Sequence, residues 1–215
     1  MKIFFVRHGK TEWNLEGRLQ GASGDSPLLQ ESLEEIRALG HYLSEIDFDA
    51  VYSSDLKRAR KTAQLIIQEN NNPIPIVYTS ALREWKLGRL EGSKIATVLS
   101  IYPQQMHAFR HNLARFDADV FEAETVHKTT QRVRNFILSL NKDFKNVLLV
   151  GHGANFTASI RSLMGYEPAR LRDSGGLDNA SVTVLETKDV EHFHCLLWND
   201  KSYTAENKDA LIDIL

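Results

Sequence analysis

The chain has 215 residues, enough for one large α/β domain or two small ones. Hydrophobic residues make up 42% of it and charged residues 25%, a composition that argues against disorder on a large scale. The net charge of −2 gives no overall reason to expect nucleic acid or an anionic membrane as a partner.

The cysteine content and the N-terminal sequence favour the cytoplasm. Cys195 is the only cysteine, so neither an intrachain disulfide nor a cysteine-based zinc site is expected. This suits a reducing compartment. The apolar run at 3–6 is too short for a signal peptide, and no segment has the length of a membrane span. We therefore expect a cytoplasmic protein that does not bind a membrane.

The first part of the chain alternates predicted strands and helices. Hydrophobic periodicity predicts, in order, a strand at 3–6, a helix at 32–43, a strand at 50–52, a helix at 53–70 and a strand at 76–78. Ser54 or Asp55 is expected to cap the second helix. The Asn-Asn-Pro sequence at 71–73 should end it.

The later part continues the alternation after a helical stretch. The predicted elements are a helical region at 94–116 divided by Pro103, a helix from Thr125 to Leu140, a strand at 147–150, a helix at 154–165 closed by Gly165, and closing strands at 179–187 and 192–198. Strands that alternate with helices predict a three-layer α/β/α fold with a mostly parallel central sheet. We expect one domain over 1–215, with 80–125 as a helical cap.

Two histidines follow predicted strands in similar settings. The stretch "IFFVRHGKT" (3–11) leads into Arg7-His8-Gly9, and "VLLVGHGAN" (147–155) leads into His152-Gly153. Ligands of open α/β sheets bind at the carboxyl ends of strands, and a helix N-terminus attracts anions. One histidine after a strand is usually structural, but two in parallel settings favour an anion site.

A series of sequence blocks resembles the histidine phosphatase superfamily, also called phosphoglycerate-mutase-like. The blocks, in order, are Arg7-His8-Gly9 with Thr11 and Asn14, "GRLQGASGDSPL" (17–28), "YSSDLKRARKTA" (52–63), "LREWKLGRLEG" (82–92), "VGHG" (150–153) and "DNASVTVLE" (178–186). Any one block is weak, but their order and spacing are specific. The resemblance spans roughly residues 2 to 186 and implies the phosphoglycerate-mutase-like α/β fold.

The resemblance implies a role for each of five residues. His8 matches the family's nucleophile, which would form a phosphohistidine. Arg7 and Arg58 match the arginines that clamp phosphate, and His152 matches a second histidine that donates to the same oxygens. Glu84 matches the acid that protonates the leaving alcohol and then deprotonates water. A carboxyl group beside a bound phosphate is expected to hold its proton, since a second negative charge is disfavoured there.

Other positions in the blocks are expected to line the phosphate site. Asn14 and Gln20 match such positions, although a helix cap or a turn would explain either residue almost as well. Gly21 and Gly153 lie in the same blocks, and glycine lets a ligand approach the backbone closely. No metal and no other cofactor is expected, because arginines and histidines supply the positive charge.

Two further pairs of histidines have the spacing of metal ligands. His107 and His111 could share a helix face, and His192 and His194 could share a strand face. Neither pair has a third ligand in the expected pattern. We interpret both pairs as parts of solvated faces.

Two departures from the family pattern bear on the reaction. Lys10 stands where members often have Glu, which need not affect the chemistry. Trp85-Lys86-Leu87 stands where cofactor-dependent phosphoglycerate mutases have Arg-His-Tyr, and those mutases are longer. The sequence therefore favours hydrolysis of a small phosphorylated metabolite over the alternatives, a phosphoglycerate mutase and a non-catalytic, regulatory protein that binds a phosphate ligand.

The substrate and the oligomeric state stay open at this stage. Residues 85–125 are expected to form a specificity lid that carries aromatic and basic side chains, although ordinary packing of a helical cap would explain them equally well. These side chains are Trp85, Tyr102, Phe109, Arg110, Arg115 and Phe116.

Overall fold

A mixed sheet forms the centre of the structure, a computed structural model that describes residues 1–204. Within these residues the sheet has six strands in the order β3-β2-β4-β1-β5-β6. The strands are β1 (Lys2–Arg7), β2 (Ala50–Ser54), β3 (Ile76–Thr79), β4 (Asn146–Gly151), β5 (Val182–Glu186) and β6 (His194–Asp200). The predicted domain continues to residue 215, and 205–215 lie outside the described residues.

The sheet pairing brings the two predicted histidine positions to one edge. β3, β2, β4 and β1 are parallel neighbours, whereas β5 and β6 add antiparallel pairs. β1 and β4 run side by side with Arg7 opposite Gly151. The next residue of each strand therefore leaves the sheet at the same place, and these residues are His8 and His152.

Helices cover both faces of the sheet and give the predicted three layers. The helices are α1 (Glu12–Leu15), α2 (Gln30–Tyr42), α3 (Lys57–Gln68), α4 (Ile95–Ile101), α5 (Pro103–His111), α6 (Val126–Leu138) and α7 (Gly153–Leu163). Alternate side chains of β1 serve the two faces. Phe4 packs in a cluster with residues of α2 and α3, whereas Phe5 packs with residues of α6 and α7. The α/β class and its layering are confirmed.

The start of α3 differs from the prediction. Neither Ser54 nor Asp55 is the N-cap, because β2 continues to Ser54 and the cap position is Leu56, which has no side-chain cap bond. Instead, the carboxylate of Asp25, from a distant loop, accepts hydrogen bonds from the backbone N–H groups of Lys57 at 2.6 Å and Arg58 at 3.3 Å. A long-range contact thus does what a local cap was expected to do.

Residues 80–125 form a third hydrophobic cluster beside the sheet. Pro103 separates α4 from α5 as predicted and lies at the first turn of α5. Trp85 is fully buried and packs edge-on against Phe109 and Phe116, with ring centroids 5.4 and 6.3 Å away. The cluster also includes Ala158 of α7, so it packs directly against the helix that begins at the candidate site. Within residues 1–204, no helix is long and apolar enough to cross a lipid bilayer.

Candidate active site

Two buried imidazoles lie side by side at the carboxyl ends of β1 and β4. The ring centroids of His8 and His152 are 5.1 Å apart, with 61° between the ring planes. His8 is 4% exposed and His152 is not exposed at all. His152 occupies the N-cap position of α7, where its backbone is extended. The parallel pairing of two neighbouring strands therefore places both rings at one helix N-terminus.

The neighbours of His8 define which of its ring nitrogens carries a proton. Nδ1 lies 2.7 Å from the carbonyl oxygen of Gly9, which can only accept, so Nδ1 carries the hydrogen. Nε2 accepts from Nε of Arg58 at 3.3 Å, and a guanidinium can only donate. Burial, followed by the charges of Arg58 and Arg7, holds the pKa of His8 well below its usual value of 6.5. His8 is thus a neutral imidazole with its lone pair on Nε2.

The ring of His152 is hydrogen-bonded to a hydroxyl group. Its Nε2 lies 2.8 Å from Oγ of Ser54, at the end of β2. Its Nδ1 is buried and has no hydrogen-bond partner within the described residues. Burial, followed by the charge of Arg58, holds its pKa well below 6.5. This ring is therefore neutral too, and one of its nitrogens has no partner.

Arg58 is buried at the first turn of α3 and is fixed by carbonyl and carboxylate oxygens. Its guanidinium donates to the carbonyl oxygens of Gly24 at 2.7 Å and Gly21 at 2.9 Å, and to Asp25 at 3.1 Å. The orientation of the Gln20 amide that satisfies its neighbours lets its oxygen accept from Nε of Arg58 at 2.9 Å, so that Gln20 and Nε2 of His8 share this one N–H group. Burial lowers the pKa of Arg58, and the charge of Asp25 opposes that effect.

Arg7 approaches the site through a gap that only glycine leaves open. It donates from Nη1 to the carbonyl oxygen of Leu177, and its buried Nε has no partner among residues 1–204. A Cβ atom on Gly153 would lie 2.8 Å from this Nε, closer than such atoms come in practice. Gly153 thus admits the guanidinium beside the start of α7. Burial lowers the pKa of Arg7, while Glu84 raises it.

Glu84 is bound to the N-terminus of α7. Its carboxylate accepts from the backbone N–H groups of Ala154 at 2.8 Å and Asn155 at 2.7 Å, and from that of Trp85 at 2.7 Å. These three donors fix the carboxylate at the start of the helix. The carboxylate is only 5% exposed and is thus held in one place.

One cavity of about 470 Å³ opens onto this group. The predicted residues that line it are Arg7, His8, Asn14, Gln20, Glu84 and Gly153. Three others do not line it. Arg58 and His152 lie in the layer behind His8, and Gly21 contributes its carbonyl to Arg58. Asn14 also closes a capping box with Thr11 at the start of α1, so the structural role considered for it is present.

Part of the expected lid reaches this cavity. Among its six aromatic and basic residues, Phe109 and Arg110 line the cavity, together with Leu87 and His111. Trp85 and Phe116 are instead buried in the cluster beside the sheet. For these two residues, ordinary packing is the correct explanation.

Several residues at the site were not assigned to it by the sequence analysis. They are Asp25, which pairs with Arg58, Ser54, which binds His152, Asn179, whose amide donates to the carbonyl of His8 at 3.0 Å, and Arg172, which lines the cavity. All four lie in loops or at strand ends, where no periodicity distinguishes them. Asp25, Ser54 and Asn179 each belong to one of the family-like blocks, which was the available signal, and Ser54 was expected only as a helix cap.

The additional histidine pairs lie apart from the two central rings. His107 and His111 stack with ring centroids 4.7 Å apart on α5. His192 lies in the turn before β6 rather than on the strand, and its Nδ1 is 2.8 Å from Asp189 on the surface. Within the described residues, no group of three or more His, Cys, Asp or Glu side chains could hold a metal ion.

The chain belongs to the histidine phosphatase superfamily (branch 1), whose sequence pattern matches residues 3–201. Among its relatives is the broad-specificity phosphatase YOR283W of Saccharomyces cerevisiae, with 31% identity over 90% of this chain and 83% of that protein. The probable phosphoglycerate mutase GpmB of Shigella dysenteriae has 29% identity over 96% of this chain and 91% of that protein.

A solved structure agrees with this assignment. The mycobacterial glucosyl-3-phosphoglycerate phosphatase in complex with VO3 superposes with a TM-score of 0.84 at 25% identity, covering 93% of this chain and 99% of that chain. The predicted family, fold and enzyme class, a phosphatase of this superfamily, are confirmed.

Proposed function

We propose that the protein hydrolyses phosphomonoesters of small metabolites through a phosphohistidine on His8. The observation that carries the proposal is the neutral His8 ring, whose Nε2 lone pair lies among Arg7, Arg58 and His152. A neutral imidazole is a nucleophile, whereas an imidazolium is not. The arginines supply the positive charge that a phosphoryl group needs, so the chemistry requires no metal.

In the first step, Nε2 of His8 attacks phosphorus while the bond from phosphorus to the alcohol oxygen breaks. Arg7, whose Nε has no partner among residues 1–204, is the donor on the cavity wall that is available to phosphate oxygens. Each donor of this kind contributes on the order of 3 kcal/mol to lowering the barrier. Glu84 is the acid that gives a proton to the leaving oxygen.

In the second step, the same carboxylate removes a proton from water, and the water oxygen attacks phosphorus. The bond from phosphorus to Nε2 breaks, which releases inorganic phosphate and restores His8. The three backbone N–H groups that bind Glu84 hold the carboxylate in position for this step. One residue thus serves as acid and then as base.

The residues after Glu84 support hydrolysis over phosphoryl transfer between positions of one substrate. Trp85 is buried and Lys86 is exposed without lining the cavity, so Leu87 alone of the three faces the substrate. A mutase must hold its substrate and keep water out of the phosphoenzyme. An apolar residue with no donor at this position does not provide that hold. Phosphatases are also found among the relatives.

The proposal extends to the domain and its setting. We take residues 1–215 as one domain in which 80–125 form the specificity cap, supported by the separate cluster around Trp85 and by Phe109 and Arg110 in the cavity wall. The single cysteine supports a cytoplasmic setting.

A panel of phosphomonoesters assayed for phosphate release tests the proposed reaction. Wild-type protein should release phosphate from several of them, and His8→Ala should lower kcat/KM by roughly four orders of magnitude or more, because it lacks the nucleophile. The matched control is His107→Ala on α5, an exposed histidine outside the cavity wall, which should keep full activity.

Two results would contradict the proposal. Efficient conversion of 3-phosphoglycerate to 2-phosphoglycerate that depends on the 2,3-bisphosphate would identify a mutase. Tight binding of phosphate esters with no turnover and no phosphoenzyme would identify a binding protein.

A further inference from the structure

Another arginine of the cavity, Arg172, is buried without an ion pair among residues 1–204. Arg172 is 8% exposed and lines the same cavity as His8 and Glu84. Within the described residues it forms no ion pair, and its Nε has no hydrogen-bond partner. Its one hydrogen bond runs from Nη2 to the carbonyl oxygen of Ala154 at 3.3 Å. Buried charges are ordinarily paired, because the loss of water around them is costly.

Packing alone does not account for this side chain. Arg161 is also buried with an unpartnered Nε, but its guanidinium stacks 4.5 Å from the ring centroid of Trp198 and does not line the cavity. Arg172 has a weaker aromatic contact, 5.4 Å to the ring centroid of Phe109, and that ring is itself part of the cavity wall. Arg172 and the ring that it contacts thus both border the space that a substrate would fill.

The remaining charges of the cavity favour an anion beside Arg172. Four arginines line the wall, and Glu84 is the one carboxylate among the lining residues. Arg18 is paired with Glu16, and Arg110 is exposed. Burial lowers the pKa of Arg172 only to about 10, so it is positively charged at neutral pH. It is the member of the set that is buried and charged and forms no ion pair within residues 1–204.

We infer that Arg172 recognises a second anionic group on the substrate, a carboxylate or a further phosphate, at the end remote from the phosphoryl group under attack. The inference rests on the proposed phosphatase function. A planar guanidinium can donate two parallel hydrogen bonds to either group, so both sources share the chemistry. The enzyme would accordingly prefer phosphomonoesters that carry a carboxylate or a second phosphate to those that carry no further charge.

The connection through Ala154 limits the length of such a substrate. The N–H of Ala154 donates to Glu84 at 2.8 Å, and its carbonyl accepts from Arg172 at 3.3 Å. Backbone bond lengths then place the guanidinium within about 10 Å of the catalytic carboxylate. A small phosphorylated metabolite is long enough to span that distance, so the substrate need not be a macromolecule.

Two matched pairs of substrates test the inference. The first pair is sn-glycerol 3-phosphate and 3-phosphoglycerate, which differs by a carboxylate, and the second is fructose 6-phosphate and fructose 1,6-bisphosphate, which differs by a phosphate. Wild-type kcat/KM should be higher for the more anionic member of at least one pair. Arg172→Gln should lower kcat/KM for that member about 10- to 100-fold and change the other less than about threefold. The pair that responds identifies the anion.

Control variants separate recognition from folding. Arg170→Gln alters an exposed arginine two residues away that pairs with Asp173, and it should leave the preference unchanged. Arg172→Lys keeps the charge but loses the fork, so it should retain part of the preference. Arg172→Lys also replaces Arg172→Gln in the substrate test if the latter does not fold.

Distinct outcomes overturn the inference and the proposed function. An absence of preference in both wild-type pairs, or an equal loss on both members of each pair in Arg172→Gln, overturns the role of Arg172 and leaves the phosphatase intact.

If none of the four esters and not even p-nitrophenyl phosphate releases phosphate, the proposed function fails. Calorimetric titration of 3-phosphoglycerate and fructose 1,6-bisphosphate into His8→Ala, with and without Arg172→Gln, then decides the inference. At least tenfold weaker binding of either ligand in the double variant supports it, and unchanged binding of both contradicts it.

Discussion

At the scale of single residues, the chemistry depends on a histidine that stays neutral beside two arginines. Nδ1 of His8 donates to the carbonyl oxygen of Gly9, and Nε2 accepts from Arg58. The two partners permit one tautomer, with the proton on Nδ1. Burial and the nearby positive charges of Arg58 and Arg7 also disfavour a second proton on the ring. The same arginines thus help to keep the proposed nucleophile neutral.

The ring protonation can be followed by NMR. The pKa values of His8 and His152 are held below 6.5, so both rings should stay neutral as pH falls from 8 through 6.5. His192, whose pKa is raised by Asp189, should take up its proton above 6.5. Two-bond ¹⁵N correlation spectra should also show His8 protonated on Nδ1. Protonation of His8 between pH 7 and 6 would contradict the assigned environment.

Single residues also show the limit of what the sequence predicts. His8 and His152 were predictable because each follows an apolar strand, and parallel strands end at one edge. Asn14 and Gln20 stayed ambiguous, since a capping residue and a ligand-binding residue have the same amide. Arg172 was not predictable, because its burial depends on how a loop packs against Phe109.

At the scale of elements, the N-terminus of α7 organises the site. It carries His152 as its cap, binds Glu84 through two N–H groups and leaves room for Arg7 at Gly153. These three functions need the first turn of one helix to lie against the ends of two strands. The apolar face of α7, which packs against Phe5 of β1 through Phe156, holds it there.

Gly153→Ala tests the close approach of Arg7 to this helix. Alanine ordinarily favours a helix over glycine by up to about 1 kcal/mol. Here its Cβ would lie 2.8 Å from Nε and 2.9 Å from Cζ of Arg7 and would displace the guanidinium. We expect kcat/KM to fall about 100-fold, as for a catalytic group misplaced by an ångström. The measurement is phosphate release alongside thermal unfolding, and a variant with wild-type kcat/KM would refute the contact.

Asp25→Ala tests the long-range cap of α3. The change removes acceptors from the N-terminus of the helix and the carboxylate partner of buried Arg58. The free energy of unfolding should fall by about 2–3 kcal/mol in urea titrations, and kcat/KM should fall with it. Asp55→Ala is the control, because it breaks a more exposed pair with Arg83 and should cost about 1 kcal/mol or less. Equal losses in both variants would show that Asp25 has no special role.

The same helix explains why one prediction was wrong. Ser54 and Asp55 precede the helical pattern, and a local rule makes them caps. The parallel pairing of β2 extends the strand to Ser54, where its hydroxyl meets His152 instead. Sheet pairing and a loop that is distant in sequence determine how α3 begins, and a rule based on neighbouring residues takes neither into account.

At the scale of the whole molecule, the hydrophobic pattern was enough to predict the layers. The alternating apolar side chains of β1 divide between two faces, and the helices with apolar stripes cover them. The cap at 80–125 was less predictable. Trp85 resembles a substrate-facing aromatic in sequence, yet the cap needs a core of its own, and the largest ring fills it. Phe109, which also belongs to this core, and the exposed Arg110 line the cavity.

The central claim is that the phosphoryl group is transferred to His8. The most direct measurement is rapid mixing with a phosphomonoester, an alkaline quench that preserves the acid-labile phosphorus–nitrogen bond, and mass spectrometry of the proteolytic peptides. We predict one phosphate on the peptide that carries His8, formed within the first turnover and absent from His8→Ala. Phosphate on another residue, or turnover at wild-type rate in His8→Ala, would contradict the mechanism.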